Sequence, residues 1–303
     1  RLLLAGVDPN LTLRGGETLL MTAARTGDPE TVRTLLAHGA DPNLRETTQG
    51  QTALMWAVAE RHPAVVKLLL DSGADLHARS RVRRKVISRR LQSELKYGEL
   101  GRSYGTDAEE TSIGGFTPLL FAARQGDIES ARLLLAAGAS VNDTAPDGAS
   151  VLVVATHSGH GTLAKFLLGH GANPNGAAAG YTALHVAVLT GDLDLVEALL
   201  AHGARPDAQV TLATRVTRNG QVLMLGEHLL GSTPFALAAK FTEVRIMRAL
   251  AAAGALADRL GYTMANLGYR FPTYPVPTGD TMISFLRAIT EVGARERYRP
   301  YHE

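Results

Sequence analysis

The residues that could support catalysis or metal binding are few and poorly spaced in this sequence. His157 and His160 stand three residues apart, but Gly159 between them is typical of a turn rather than of a shared ligand-bearing helical face. Asp192 and Asp194 resemble a carboxylate pair, yet their position at a predicted helix start assigns them to capping. The 303-residue chain has no cysteine and no H-E-x-x-H, P-loop or G-x-S-x-G string. We predict no catalytic site, no metal ion and no cofactor.

The strongest concentration of charge is a basic segment, 79–102. It holds nine Arg and Lys residues against two glutamates, although the net charge of the whole chain is +2. Ile87, Leu91 and Leu95 recur at helical spacing, which predicts a helix that docks by its apolar side and presents the basic side chains to an acidic partner. The alternative is a solvated loop that packs on its own scaffold, with three nearby acidic residues between 107 and 110 neutralising part of the charge. The candidate partner-binding residues of this segment are Arg81, Arg83, Arg84, Lys85, Arg89 and Arg90.

Two further segments carry candidate contact residues. Asn219-Gly220 lies between stretches rich in Val, Thr and Leu, which predicts a β-hairpin with a two-residue turn. The segment "DRLGYTMANLGYRFPTYPVPTGD" interleaves four aromatic rings with three prolines, and so offers rigid amphipathic contact area. The hairpin could instead pack on the other insertions, and the aromatic segment could instead seal the end of the scaffold. The candidate residues here are Met224, Leu225, Tyr262, Tyr269, Phe271 and Tyr274.

An internal repeat organises the elements that position these residues. Six segments align without gaps, for example "GETLLMTAARTGDPETVRTLLAHGADPN" and "GYTALHVAVLTGDLDLVEALLAHGARPD". Uninterrupted copies follow one another after 32 to 34 residues, which is the period of a stacked repeat protein. The six segments begin at Gly16, Gly50, Gly115, Gly148, Gly180 and Gly231.

Each repeat contains two apolar-periodic segments that predict two short helices. Thr117 and Thr233 precede a proline and are expected to cap the first helix. Asp28, Asp127 and Asp192 are expected to cap the second helix after an inter-helix glycine. In the last full repeat, Thr242 replaces that glycine. Leucine pairs on the second helix, such as Leu35–Leu36, Leu68–Leu69 and Leu199–Leu200, must pack on the neighbouring repeat, because a unit of this size cannot cover them alone.

The repeats resemble the ankyrin family, whose pattern is G-x-T-P-L-H-x-A, a Gly-Asp turn and V-x-x-L-L-x-x-G-A-D-x-N. The fold implied is an all-α repeat, a solenoid of helix-turn-helix units with hairpin or loop insertions on one face. His185 alone retains the family's first-helix histidine. The expected division of the single domain 1–303 is a truncated repeat at 1–15, repeats at 16–49, 50–79, 115–147, 148–179, 180–207 and 231–257, insertions at 80–114, 208–230 and 258–278, and a divergent or partial repeat at 279–303.

The resemblance implies a non-catalytic protein-protein interaction scaffold. All three insertions occur at one phase of the repeat, which in the family is the hairpin finger that overhangs the concave surface. We expect the concave face and the insertions to bind another protein. Two alternatives are a structural subunit of a larger assembly and a binder of an acidic polymer through 79–102. We expect no regular basic stripe along the first helices, which disfavours nucleic acid. The absence of thiols favours an exported protein without excluding a cytoplasmic one.

Overall fold

The computed structural model describes residues 7–88, 108–212, 214–218, 221–225 and 229–253. All of these belong to one compact unit, Arg1–Ala255. They form twelve helices in six consecutive pairs, and each pair falls within one of the aligned repeats. The first helices of the pairs are α1 Leu19–Thr26, α3 Ala53–Ala59, α5 Pro118–Gln125, α7 Val151–His157, α9 Ala183–Thr190 and α11 Pro234–Lys240. The second helices are α2 Pro29–Ala37, α4 Pro63–Asp71, α6 Ile128–Ala136, α8 Gly161–Gly169, α10 Leu193–Ala201 and α12 Val244–Ala252.

Polar side chains cap several of the helices. Asp28, Asp127 and Asp192 each accept a backbone N–H from the first turn of a second helix, as predicted. Thr233 likewise accepts the N–H of Ala236, at 3.3 Å. Thr117 also precedes its helix in extended conformation, but its side chain makes no capping bond. Its hydroxyl instead donates to the Asp143 carboxylate at 2.7 Å, so this threonine ties the start of the third repeat to the end of the same repeat.

The turn between paired helices requires a left-handed residue. Gly27, Gly126 and Gly191 supply it at the end of the first helix, with φ between 71° and 76°. Two other repeats place side chains in the same conformation, at Arg61 with φ 61° and at Thr242 with φ 59°. A residue with a Cβ is strained there, so these two turns carry a backbone cost that the glycine turns avoid.

The helices form two layers. Each first helix packs on the first helix of the next repeat, from α1 on α3 to α9 on α11. Second helices pack in the same sense, for example α2 on α4 and α10 on α12. Leu35, Leu69 and Leu199 are buried between them, as the leucine pairs predicted. Each fully buried leucine stabilises the fold by about 1.5–3 kcal/mol. The repeated apolar layers therefore make an all-α repeat solenoid.

Two β-hairpins interrupt this array. β1 (Arg83–Ser88) pairs antiparallel with β2 (Ala108–Ile113), and β3 (Thr214–Arg218) pairs antiparallel with β4 (Gln221–Leu225). Arg218 is paired with Gln221, which leaves two residues between the strands, so the predicted second hairpin is confirmed. The predicted helix is wrong at Ile87, which lies in β1 opposite Glu109. Val86 and Ile87 are β-branched, which favours a strand over a helix at these positions.

At four positions an asparagine side chain ties one repeat to the next. The Asn43 amide donates to the Gly73 carbonyl at 3.1 Å, and its oxygen accepts the Asp75 N–H at 2.7 Å. The same pair of bonds joins Asn10 to Gly39 and Asp41, Asn142 to Gly171 and Asn173, and Asn175 to Gly203 and Arg205. His77 and Asp207 replace the asparagine in the two repeats that precede the hairpins. The asparagine ladder therefore stops where the chain leaves the array.

Candidate protein-binding surface

The two hairpins leave the array at the same phase of their repeats. At the base of the first, the Ser80 N–H donates to the Phe116 carbonyl at 3.0 Å. At the base of the second, the Val210 N–H donates to the Ser232 carbonyl, also at 3.0 Å. Each closure stands directly before a first helix, and β3 also contacts the first helix α9. The base of each described hairpin therefore lies next to the start of a first helix, α5 for the first hairpin and α11 for the second.

The predicted contact residues fall into three groups. Arg81 and Arg83 lie at the base of the first hairpin and are exposed. Arg84 and Lys85 lie on β1, while Met224 and Leu225 lie on β4. The structure therefore places six of the predicted residues on the two hairpins. The others lie outside the described residues, and these are Arg89, Arg90, Tyr262, Tyr269, Phe271 and Tyr274.

A buried carboxylate closes the turn at residues 46–51, next to the first hairpin, and we call this turn the finger. Glu46 is 4% exposed and accepts the backbone N–H groups of Thr48, Gln49 and Gln51 at 2.6, 2.7 and 3.0 Å, as well as the Thr48 hydroxyl. Burial alone would raise the pKa of Glu46, but the bonds from Gln51, Thr48 and Gln49 outweigh it and lower that pKa. The ionised side chain thus holds this turn closed.

A cleft opens between this finger and the third repeat, and we call it the hairpin cleft. Its open volume is about 340 Å³, and it is lined in part by Gln51, Arg81, Arg83, Phe116, Phe121 and Arg124. Arg81 is fixed on one wall, because its N–H donates to the Gln49 carbonyl at 2.6 Å and its guanidinium donates to the Thr47 carbonyl at 2.6 Å. A side chain at Gly114 would overlap the Arg81 carbonyl. The two chain segments at the base of the first hairpin can therefore approach this closely only with glycine at this position.

Arg124 and two aromatic rings form the floor of the hairpin cleft. The Arg124 guanidinium carbon lies 4.8 Å from the centroid of the Phe121 ring and 5.5 Å from that of Phe116. The two rings meet edge to face, with centroids 5.8 Å apart and an interplanar angle of 72°. Burial lowers the pKa of Arg124. Among the side chains that the structure describes, no carboxylate lies within ion-pair distance of this guanidinium.

A second cation and ring lie on the first two repeats. The Arg25 guanidinium carbon is 5.4 Å from the centroid of the Trp56 ring. Here a carboxylate is present, because Glu17 lies 3.8 Å from Arg25. The Trp56 Nε1 is buried and has no hydrogen-bond partner among the described residues. This pair resembles the floor of the hairpin cleft but is already neutralised within the chain.

Sequence reasoning missed these groups. Arg25, Arg124 and Lys240 occupy the same position of the first helix in three of the six repeats, so basic residues recur at this position without forming a regular stripe. Alignment of the repeats column by column contains that signal. The aromatic residues Phe116 and Phe121 gave no signal of their own, because apolar residues on a first helix and before it are typical of core.

Arg79 has a structural role despite belonging to the basic segment. It donates to the carbonyls of Gly115 and Thr144 at 3.0 and 2.9 Å and forms an ion pair with Asp143. Asp143 also accepts from Thr117. Arg79 thus joins the second repeat to the third, at the position where His77 interrupts the asparagine ladder. Its guanidinium hydrogen bonds are made within the scaffold.

Three histidines, His62, His160 and His185, make hydrogen bonds within the scaffold. His62 and His160 each place Nε2 near the carbonyl of a first-helix residue of the preceding repeat, at 3.1 Å from Arg25 and 3.0 Å from Arg124. His185 is fully buried. Its Nδ1 accepts the Thr182 N–H at 3.1 Å, and its Nε2 lies 3.1 Å from the Ala208 carbonyl. Across the described ranges, no three His, Asp or Glu side chains are placed to hold a metal ion.

Burial lowers the pKa of His185 to about 4, although its bonds to the carbonyls of Ala208 and Ser232 favour the proton. The imidazole is therefore neutral at physiological pH, with Nε2 as the donor to Ala208. It links the first helix α9 to the chain that enters the second hairpin.

None of the helices in the described part of the chain is long and apolar enough to cross a membrane.

Comparison with known proteins supports the architecture. A family model for ankyrin repeats in three copies matches residues 1–80 and 119–210, which together make more than half of the chain. An ankyrin repeat domain from Acinetobacter baumannii AYE is 23% identical, with 78% of this chain and 97% of that chain covered and a TM-score of 0.56. The ankyrin repeat domain of human ASB11 is 21% identical, with 83% and 90% covered and a TM-score of 0.59. At these identities the solved structures establish the fold alone. No curated protein sequence matches the chain.

Proposed function

The chain belongs to the ankyrin-repeat family, and from that premise we propose that it is a non-catalytic scaffold that binds another protein through its first-helix face and its hairpins. Ankyrin repeats are generally protein-protein interaction modules. The first-helix face is the surface formed by the exposed sides of α1, α3, α5, α7, α9 and α11, which is the concave side in the family. The partner contacts proposed on the described hairpins are Arg81, Arg83, Arg84, Lys85, Met224 and Leu225.

The observation that carries this proposal is the shared position of the two hairpins. Each begins after a second helix and ends directly before a first helix, although three repeats separate their starting points. An insertion that only filled space would have no reason to occur twice at one phase. Insertions of repeat proteins at one phase extend a common face, and that face is commonly the binding face. The hairpins therefore enlarge the surface that the first helices present.

Partner capture by hairpin-shortened variants tests the proposal. In the first variant, Asn-Gly replaces 84–112 between Arg83 and Ile113, which are paired residues of β1 and β2. In the second, Asn-Gly replaces 215–224 between Thr214 and Leu225, which are paired in β3 and β4. Both variants retain the stems that close on the array and use a turn suited to a short hairpin. We expect affinity purification from the native source, read by mass spectrometry, to lose a partner that the intact chain retains.

The controls separate binding from folding. Arg33→Gln and Arg132→Gln replace exposed arginines on the second helices α2 and α6, away from the first-helix face, and we expect them to capture the partner normally. Circular dichroism and thermal unfolding should show that the shortened variants keep their helices. Unchanged capture by both shortened variants would remove the hairpins from the binding surface.

A further inference from the structure

The side chains that line the hairpin cleft include three arginines, Arg81, Arg83 and Arg124, and one carboxylate, Asp147. We propose that the cleft binds an acidic peptide segment of the partner protein, with carboxylates on the guanidinium groups of Arg124, Arg83 and Arg81. This inference rests on the proposed scaffold function and deepens it by naming the chemistry of the bound segment. The open volume of about 340 Å³ is near the lower end of the range of about 300–1,000 Å³ for ligand cavities. It suits a few side chains of an extended segment rather than a folded surface.

Arg124 is the anchor of the proposed site. Its guanidinium carbon lies 4.8 and 5.5 Å from the centroids of two rings, and burial lowers its pKa. It has no carboxylate partner among the described residues. A ligand carboxylate would supply a charge-assisted bond, which is roughly twice as strong as one between neutral groups. The matching cation of the first two repeats, Arg25, already has Glu17 at 3.8 Å. The two sites therefore differ in that, among the described side chains, only Arg25 has a carboxylate partner.

The walls of the hairpin cleft add rigidity to this anchor. Arg81 is held by two hydrogen bonds to the finger that Glu46 closes. Phe116 and Phe121 hold each other edge to face. A site formed by groups that are already fixed loses little side-chain entropy on binding. The rings also offer an apolar floor, so we expect the preferred segment to combine acidic residues with an aromatic or aliphatic residue.

Charge around the hairpin cleft favours a peptide over a nucleic acid. Nucleic acid binding needs cations that follow the phosphate backbone over many contacts. The equivalent positions on the flanking repeats are Ala59 and His157, so the basic position is not continuous next to Arg124. Asp147 lies exposed on the rim of the cleft. A few cations beside a carboxylate suit a short acidic segment with limited charge.

The test is a fluorescence anisotropy titration of the full chain with a labelled peptide, Gly-Asp-Glu-Phe-Asp-Glu-Gly. The amide peptide Gly-Asn-Gln-Phe-Asn-Gln-Gly controls for charge, and a single-stranded oligothymidine with the same number of charges represents nucleic acid. We expect the acidic peptide to bind more tightly than either probe and its dissociation constant to rise with salt. Arg124→Gln should raise that dissociation constant about tenfold. The matched control, Arg132→Gln on α6, should leave it unchanged.

A second variant tests whether a negative charge at the rim of the cleft weakens binding of the acidic peptide. Asp147→Asn removes the rim carboxylate and should tighten binding of the acidic peptide, an effect that a purely structural role would not produce. Equal binding of the amide peptide, tighter binding of the oligothymidine, or no effect of Arg124→Gln would overturn the inference. Because Arg124→Gln retains both hairpins, such a result leaves the scaffold function standing. Only unchanged capture by the shortened variants contradicts the hairpins' part in that function.

Discussion

The guanidinium of Arg124 lies over the ring of Phe121, three residues earlier on α5, with its central carbon 4.8 Å from the ring centroid. One turn of helix places the two side chains on the same face, since residues three and four apart are neighbours there. Phe116 contacts both from the chain that enters the helix. A cation and two rings are thereby assembled within nine residues, at the base of the first hairpin.

This cation and ring are expected to stabilise each other measurably. Arg124→Gln, Phe121→Leu and the double variant form a cycle in which the coupling free energy should be about 0.5–1 kcal/mol, as for exposed cation–π pairs. Urea unfolding followed by circular dichroism gives the required free energies. A control cycle that combines Arg132→Gln with Phe121→Leu should show no coupling. Additive effects in the first cycle would mean that the ring does not hold the guanidinium.

Stability should fall in acid because of His185. Its pKa is about 4 in the folded protein against 6.5 for the ordinary side chain, so the unfolded state binds more protons between these values. The stability of the neutral form is fully present above pH 6.5 and is lost as pH falls toward 4. The loss from this group should approach about 3 kcal/mol.

His185→Met checks this assignment, since Met21 and Met55 occupy the same position in the first two repeats. We expect the variant to lose about 1 kcal/mol at neutral pH, because the bond to Ala208 is removed. Its unfolding free energy should vary less between pH 6.5 and 4 than that of the parent chain. His202→Gln, at an exposed position, is the matched control. An equally steep pH profile for His185→Met would place the titrating group elsewhere.

The two strained turns should accept glycine. Arg61→Gly and Thr242→Gly remove a Cβ from a left-handed conformation, and each should raise the free energy of unfolding by about 0.5–1 kcal/mol after the added flexibility of the unfolded chain. Gly191→Thr, the reverse change in the fifth repeat, should destabilise. Its nearest neighbour would be Glu243 at 3.5 Å, so the cost there comes from the backbone rather than from overlap. Thermal unfolding of the three variants measures the effect.

Glu46 should be required for both the finger and the hairpin cleft. Glu46→Gln places an amide group against backbone N–H donors that now bond to a carboxylate, and we expect it to cost about 2 kcal/mol of stability. Because Gln51 and Arg81 lie against this finger, affinity for the acidic peptide should also fall. Glu60→Gln, an exposed glutamate at the end of α3, is the control. Loss of stability with unchanged affinity would separate the finger from the cleft.

The repeat architecture could be predicted because its signals are local and recur. Glycine, threonine and aspartate mark the helix ends by their own backbone preferences, and the second hairpin follows from Asn219-Gly220 and its flanking residues. The first hairpin was missed at Ile87 because three apolar residues at helical spacing are a weak signal. Its strands are separated by the 19 residues between Ser88 and Ala108, and pairing over such a distance has no local signature.

By itself, the sequence determined the period, the two helices of each repeat, their caps and the phase at which the chain leaves the array. These depend on interactions within a few residues, and six copies repeat them. Only the tertiary structure decided that Arg79 is bound to Asp143, that Arg25 is neutralised by Glu17 and that Arg124 contacts two rings but no carboxylate among the described side chains. A charged side chain becomes a binding group or a scaffold group according to its neighbours in space. Asp143 belongs to the repeat that follows the one containing Arg79, whereas Glu17, Phe116 and Phe121 lie in the same repeats as the arginines that they contact. Folding therefore brings these neighbours together both within a repeat and between repeats.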